Sequence, residues 1–192
     1  MYGYYGKSKD GDSFMDKLIT IKRIEVSKIS GECIQIVDDL YTFIPYEVLS
    51  DDGFSFDDWN SDGYLDVSLY HVPGGSMGNR PRLYWLWNSQ AKQFTENKEL
   101  YELSGCNNVS LEDDGRIKVS VSHGVPSHTK EYYQFIEGEL VMVEKHELLT
   151  EWDDERGKGE VIDKTEKLID GEMRVTEDNS AVMTREEFNA KY

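Results

Sequence analysis

Apolar and polar residues alternate with a period of two along most of this chain, the spacing of β-strands with one face in water. From Leu18 to Val26 apolar positions alternate with Thr, Lys, Arg and Glu, which predicts a strand. A turn at Ser30-Gly31 follows, then a second strand over Cys33–Val37. Phe54 and Phe56 alternate, and Leu65, Val67 and Leu69 alternate with Asp66, Ser68 and Tyr70, which predicts a half-buried strand. Leu83–Trp87 reads as an aromatic strand, followed by a polar turn at Ser89-Gln90, Phe94, and the short run Tyr101–Leu103. Ile117–Val121 alternates after the turn Asp113-Asp114-Gly115. Glu137-Gly138 and Asp170-Gly171 are hairpin signals: the first joins Tyr132–Ile136 to Leu140–Val143, the second Val161–Ile169 to Met173–Thr176. Only the C-terminus reads as helical, where Thr184 and Glu187 have capping-box spacing and Phe188 is available for packing.

Strands this frequent, joined by short polar turns, predict a mainly β fold of antiparallel strands in a propeller-like or sandwich/barrel arrangement, with a short C-terminal helix. Residues 1–16, rich in Gly, Tyr and charge, read as a flexible arm, and 17–149 as the main β domain. The polar stretch 150–160 is the candidate break, leaving 150–192 as a C-terminal hairpin and helix packed on the main domain.

Within this pattern one segment carries specific chemistry: Asp58-Trp59-Asn60-Ser61-Asp62-Gly63-Tyr64-Leu65-Asp66. It places side-chain oxygens at loop positions 1, 3, 5 and 9 and a glycine at position 6, a spacing that lets a short loop curl around a hard cation. Asp58, Asn60 and Asp62 each offer an oxygen, Gly63 permits the bend, the carbonyl of Tyr64 faces the ion, and Asp66 closes the ring directly or through water. Three carboxylates and an amide suit Ca2+ better than zinc. Position 12 is Leu69 and not Glu, and the flanks alternate with period two, so the loop joins strands and not the helices of a calcium sensor. The plainer alternative is an Asx-rich turn with no metal.

Charge narrows the partners. The 192 residues hold 21 Lys plus Arg against 38 Asp plus Glu, a formal charge of -17. Such a surface repels nucleic acid and anionic membranes and favours cations and basic proteins. No run approaches the ~20 apolar residues needed to span a bilayer. Met1–Gly6 lacks the basic start and apolar core of a secretory leader, so the expectation is a periplasmic or cell-envelope protein if a leader has been removed, and otherwise a cytoplasmic one. Cys33 and Cys106 are too few for a zinc cluster and read as unpaired thiols, with a single disulfide as the alternative.

Several segments resemble a bacterial family: Gly31–Ile36, Phe56–Val67, then Gly75, Gly78 and Asn79, Trp85–Asn88, Phe94–Leu100 and Tyr132–Leu140. The likeness covers roughly 20–145 and is to the calcium-binding, propeller-like immunity proteins of bacterial secretion systems, whose best-understood type inhibits lysozyme-like effectors. The loop also resembles the calcium loops of FG-GAP repeats. The resemblance implies a non-enzymatic cell-envelope protein whose metal ligands are Asp58, Asn60, Asp62, Tyr64 and Asp66, with a basic lysozyme-like effector as protein partner. Ser61 stands where the family usually has Phe, and the residues after about 150 have no clear counterpart.

Other constellations are weaker. Of the four histidines, His71, His123, His128 and His146, the pair His123 and His128 share one Gly- and Pro-containing loop, match no zinc or triad spacing and read as surface-loop histidines. The pairs Asp38-Asp39, Asp51-Asp52, Asp113-Asp114 and Asp153-Asp154 read as turn residues and not as a glycosidase pair. The expectation is therefore a protein that is not an enzyme. Loops 71–80 and 123–130 are the candidate partner contacts. The alternative function is a carbohydrate-binding or wall-associated module using Trp85 and Trp87, although core packing is the better reading of that strand.

Overall fold

The computed structural model describes residues 3–5, 18–45, 53–72, 81–105 and 107–192. The chain is mainly β, with antiparallel sheets, two short helices and no closed barrel among the described residues. It divides into two compact units, Met1–Asn108 and Val109–Tyr192.

In the first unit, β1 (Gly3–Tyr5), β2 (Leu18–Ile21) and β5 (Ile44–Pro45) form a three-stranded sheet. β3 (Ile24–Ser27) and β4 (Cys33–Val37) form a hairpin. The four-stranded meander β6 (Phe54–Asp57), β7 (Asp66–Tyr70), β8 (Arg82–Asn88) and β9 (Gln93–Glu96) carries the candidate loop between its first two strands. Part of the expected N-terminal arm is therefore a strand, since Gly3–Tyr5 pairs with Ile21–Ile19. The single strand expected over 18–26 is two strands in different sheets. The chain turns at Lys22-Arg23, where the Lys22 carbonyl accepts from the Leu40 amide and Arg23 meets Asp38 at 3.4 Å.

One face of the meander is core. Val67, Leu69 and Trp85 pack with Ile21, Ile24 and Ile44, and Phe54, Leu83 and Phe94 pack against them. Alternation along the sequence places the other face in water, yet every residue of β7 is buried. A helix explains the difference. α1 (Lys98–Ser104) starts at Asn97, whose side chain accepts the Leu100 amide, and it buries Leu100 and Ser104. The Ser104 hydroxyl accepts the Arg82 amide at 3.0 Å. Arg82 Nε in turn donates to Ser68 Oγ at 2.9 Å, and Ser68 Oγ meets Ser55 Oγ at 2.7 Å. Polar residues thus satisfy one another beside a helix that the sequence signals only as a short run at 101–103.

The second unit is one seven-stranded sheet: β10 (Asn108–Leu111), β11 (Ile117–Ser122), β12 (His128–Ile136), β13 (Glu139–Asp153), β14 (Lys158–Ile169), β15 (Glu172–Asp178) and β16 (Ala181–Thr184). Both expected hairpin turns form with consecutive positive φ values, 54° and 89° at Glu137 and Gly138, 53° and 82° at Asp170 and Gly171. These values match the twist of the flanking strands. The outer edge of β14 is shared, with Lys164–Ile169 pairing β15 and Lys158–Val161 pairing β16. Residues 150–160, expected to be a break, are the end of β13, a turn and the start of β14. Glu144 on β13 is held by Arg116 at 2.7 Å, whose guanidinium lies 4.4 Å over the Tyr132 ring.

The C-terminal helix forms as expected. In α2 (Arg185–Lys191) the Thr184 and Glu187 side chains bond each other's backbone, and Phe188 joins Val161 and Met183 in a small core with Leu148 and Trp152. Thr184→Ala is expected to cost about 1 kcal/mol, read as a lowered midpoint of denaturant unfolding. No helix among the described residues is long and apolar enough to cross a membrane.

Candidate metal centre

The register of β6 with β7 builds the site. Asp57 pairs with Asp66 at the last rung, so the intervening residues must reverse the chain. Ser61 and Gly63 take positive φ of 56° and 87° to do it, and Gly63 adopts that bend without a Cβ penalty. The loop's oxygens are turned onto its own amides. Asp58 Oδ1 accepts from Asp62 N at 3.0 Å and Oδ2 from Gly63 N at 2.9 Å. Asn60 Oδ1 accepts from Asp62 N at 3.2 Å, and Asp62 Oδ1 accepts from Tyr64 N at 2.9 Å. Asn60 Nδ2 donates to Asp62 Oδ2 at 3.1 Å.

Asp66 stands apart from these. It is fully buried, with Oδ2 accepting from Trp59 N at 2.9 Å and Oδ1 from Trp87 N at 2.8 Å. It therefore ties the loop to β8. Burial pushes its carboxyl up to about 6; the Trp87 and Trp59 amides pull it down, and the nearby Asp62 charge raises it further. Trp59 is buried edge-on against Tyr84, with ring centroids 5.0 Å apart.

The structure thus brings Asp58, Asn60 and Asp62 together as a self-bonded turn and sets Asp66 behind them. Among the described residues no group of three or more His, Cys, Asp or Glu side chains is gathered as a metal cage. The donor chemistry still fits a hard cation. Each carboxylate oxygen that accepts one amide keeps a further lone pair, and Asp66 is a buried acid opposite Asp57 whose two close hydrogen-bond partners are both neutral amides. Asp57 opposite Asp66 and the Trp59 and Trp87 amides on Asp66 are parts of this arrangement that sequence reasoning misses. Counting the hairpin register outward from the loop finds Asp57, but the amides depend on tertiary pairing.

The remaining candidates fall elsewhere. Trp85 is 5% exposed and belongs to the core, while Trp87 is half-buried on Phe94 at 5.0 Å. A sugar-stacking pair of exposed tryptophans is therefore not formed, because both faces of β8 are covered. His71 is half-buried: its ring packs on Tyr101 at 5.4 Å, and burial lowers its pKa. His146 lies within β13 and bonds Glu144. His123 Nε2 contacts Thr129 Oγ1 and His128 Nδ1 contacts the Pro126 carbonyl, both at 3.0 Å. Residues 73–80 of the first candidate contact loop lie outside the described residues, as do Asp51-Asp52 and Cys106, whereas Cys33 is exposed and unpaired. Asp113-Asp114 and Asp153-Asp154 sit at turns, where Asp114 and Asp153 accept the amides of Arg116 and Arg156.

The sequence matches no protein-family profile and no curated protein. In fold, the chain is similar to the solved structure of a Xanthomonas type IV secretion system related protein. The two are 17% identical with a TM-score of 0.61, over 83% of this chain and 78% of that one.

Proposed function

We propose that the Asp58–Asp66 hairpin takes one calcium ion, and that the protein is a non-enzymatic binding protein of the bacterial cell envelope associated with a secretion system. In this reading it is an inhibitor or immunity factor against a cell-wall-degrading effector. The observation that carries the metal half is Asp66: a buried carboxyl, opposite Asp57, with Asp62 raising its pKa further. Asp58, Asn60, Asp62, the Tyr64 carbonyl and Asp66 would hold the ion. The ion would neutralise charge that the hairpin otherwise concentrates, and would lock β6 to β7 and, through Trp87, to β8. Similarity in fold to a type IV secretion system related protein supports the secretion-system half.

Calorimetric titration tests this reading. One calcium per chain is expected to bind the wild type, and Asp62→Ala, at an exposed position outside the core, is expected to abolish that heat. A wild type that binds no calcium contradicts the metal half. The inhibitor half predicts slower lysis of cell walls by a basic lysozyme in the presence of the protein, and an unchanged lysis rate contradicts it.

A further inference from the structure

The hairpin that carries the loop leaves large apolar side chains in water. Phe56 is 56% exposed, Leu65 61% and Tyr64 49%. Phe56 pairs with Val67, and Leu65 is the last loop residue before β7, so the two exposed side chains both belong to the loop end of the hairpin. Farther along, the hairpin buries Val67 and Leu69. Phe56 rests edge-on against Phe54 at 5.0 Å, and Phe54 packs on the core. An apolar strip therefore runs from the core out to the surface at the loop end of the meander.

Its rim is acidic. Residues 53–70 contain Asp57, Asp58, Asp62 and Asp66 and no Lys or Arg. With Asp66 in the interior, the rim acids Asp57, Asp58 and Asp62 carry a formal charge of -3, and one calcium ion would leave -1 (-3 + 2), so the rim stays negative with the ion bound. An exposed apolar strip with a polar rim marks a protein contact. A negative rim, on a chain of charge -17, selects a partner of opposite sign and disfavours a second copy of itself.

We infer that Phe56 and Leu65, rimmed by Asp58 and Asp62, form the docking surface for a cationic protein that presents Lys or Arg around an apolar knob. The inference rests on the binding-protein reading above and moves the contact from the loops at 71–80 and 123–130 to the calcium hairpin itself. Burial of the strip supplies the apolar part of the affinity, while the acids speed encounter and make it salt-dependent.

The test is binding of the full chain to egg-white lysozyme and to cytochrome c as cationic probes, in calcium and at low salt. The wild type is expected to bind at least one probe, with amide exchange slowed across 54–69. Phe56→Ser with Leu65→Ser is expected to weaken that binding by about tenfold or more while calcium still raises the melting temperature. Leu65→Ser alone, which leaves the Phe54–Phe56 stack intact, is expected to weaken it in the same direction. Equal binding by the variants, with protection elsewhere, overturns this surface and leaves the binding-protein reading standing. A wild type that binds neither probe overturns both. A wild-type dimer that the double variant dissociates also overturns the inference, since the strip's occupant is then a second copy.

Discussion

Replacing Asp66 with alanine is expected to destabilise the first unit by about 4 kcal/mol in excess calcium and by half that or less in chelator. Two effects oppose each other in the chelated protein. Truncation leaves the Trp59 and Trp87 amides without their acceptor, and each orphaned buried amide costs about 1–3 kcal/mol. It also removes a buried acid whose carboxyl is pushed up to about 6 from 3.8, a penalty on the ionised form of about 3 kcal/mol at neutral pH. Calcium would cancel that penalty, so in calcium only the losses remain. A raised carboxyl pKa favours the folded state fully below about pH 4, and this contribution is lost as pH rises through about 6. The chelated wild type should therefore gain stability from this group between pH 7 and pH 5, and Asp66→Ala should not. Urea unfolding at both pH values, with and without calcium, reads all four numbers. An equal loss in calcium and chelator would remove Asp66 from the proposed ligands.

The second large effect belongs to the other unit. Gly159 pairs across from Trp152, whose ring lies over it. A Cβ at 159 would sit 2.4 Å from Trp152 Cε3 and 2.9 Å from the Glu151 carbonyl oxygen. Neither can yield cheaply, because the ring is held edge-on by Phe188 at 5.7 Å and covered by the Arg185 guanidinium at 4.7 Å. Gly159→Ala is expected to cost about 2–4 kcal/mol and to loosen α2, seen as a lowered thermal midpoint and faster proteolysis near residue 185. In a Trp152→Leu background the same change should cost less than half as much, since the clash is then gone. A full cost in that background would mean that the strand, not the ring, rejects the methyl.

What is legible in the sequence follows from which forces act locally. The Asp-x-Asn-x-Asp-Gly spacing, the two hairpin turns and the capping box at Thr184 are short-range patterns, and each marks a turn or cap that forms at its own position. β7 is misleading because alternation of Val67 and Leu69 with Asp66 and Ser68 looks like a wetted face. That face is interior because α1 packs on the neighbouring β8, Arg82 bonds Ser68, and the Trp59 and Trp87 amides enclose Asp66. α1 itself is seven residues long, too short for a helical period to stand out from its neighbours. β13 extends to 15 residues through Glu144, Lys145 and Glu147, where charge interrupts the apolar signal and opposite charges across the ladder, such as Lys167 facing Glu144 and Glu166 facing Lys145, sustain pairing. The boundary after Asn108 has no linker composition to mark it, whereas the polar stretch 150–160 looks like a linker and is a hairpin. Within the site, side chains that could face an ion are visible in the sequence. The burial of Asp66 and its bonds to Trp59 and Trp87 are not, because they arise from strand register and from β8.

Thermal unfolding of the chelator-treated chain, repeated with millimolar calcium and with magnesium, tests the calcium clip most directly. A ligand held only by the folded state at about a thousandfold its dissociation constant stabilises by ~4 kcal/mol, roughly 15 °C for a unit of this size. A rise of that order is expected with calcium, a much smaller one with magnesium, and none in Asp62→Ala. An unfolding midpoint that calcium leaves unchanged in the wild type would contradict the calcium clip.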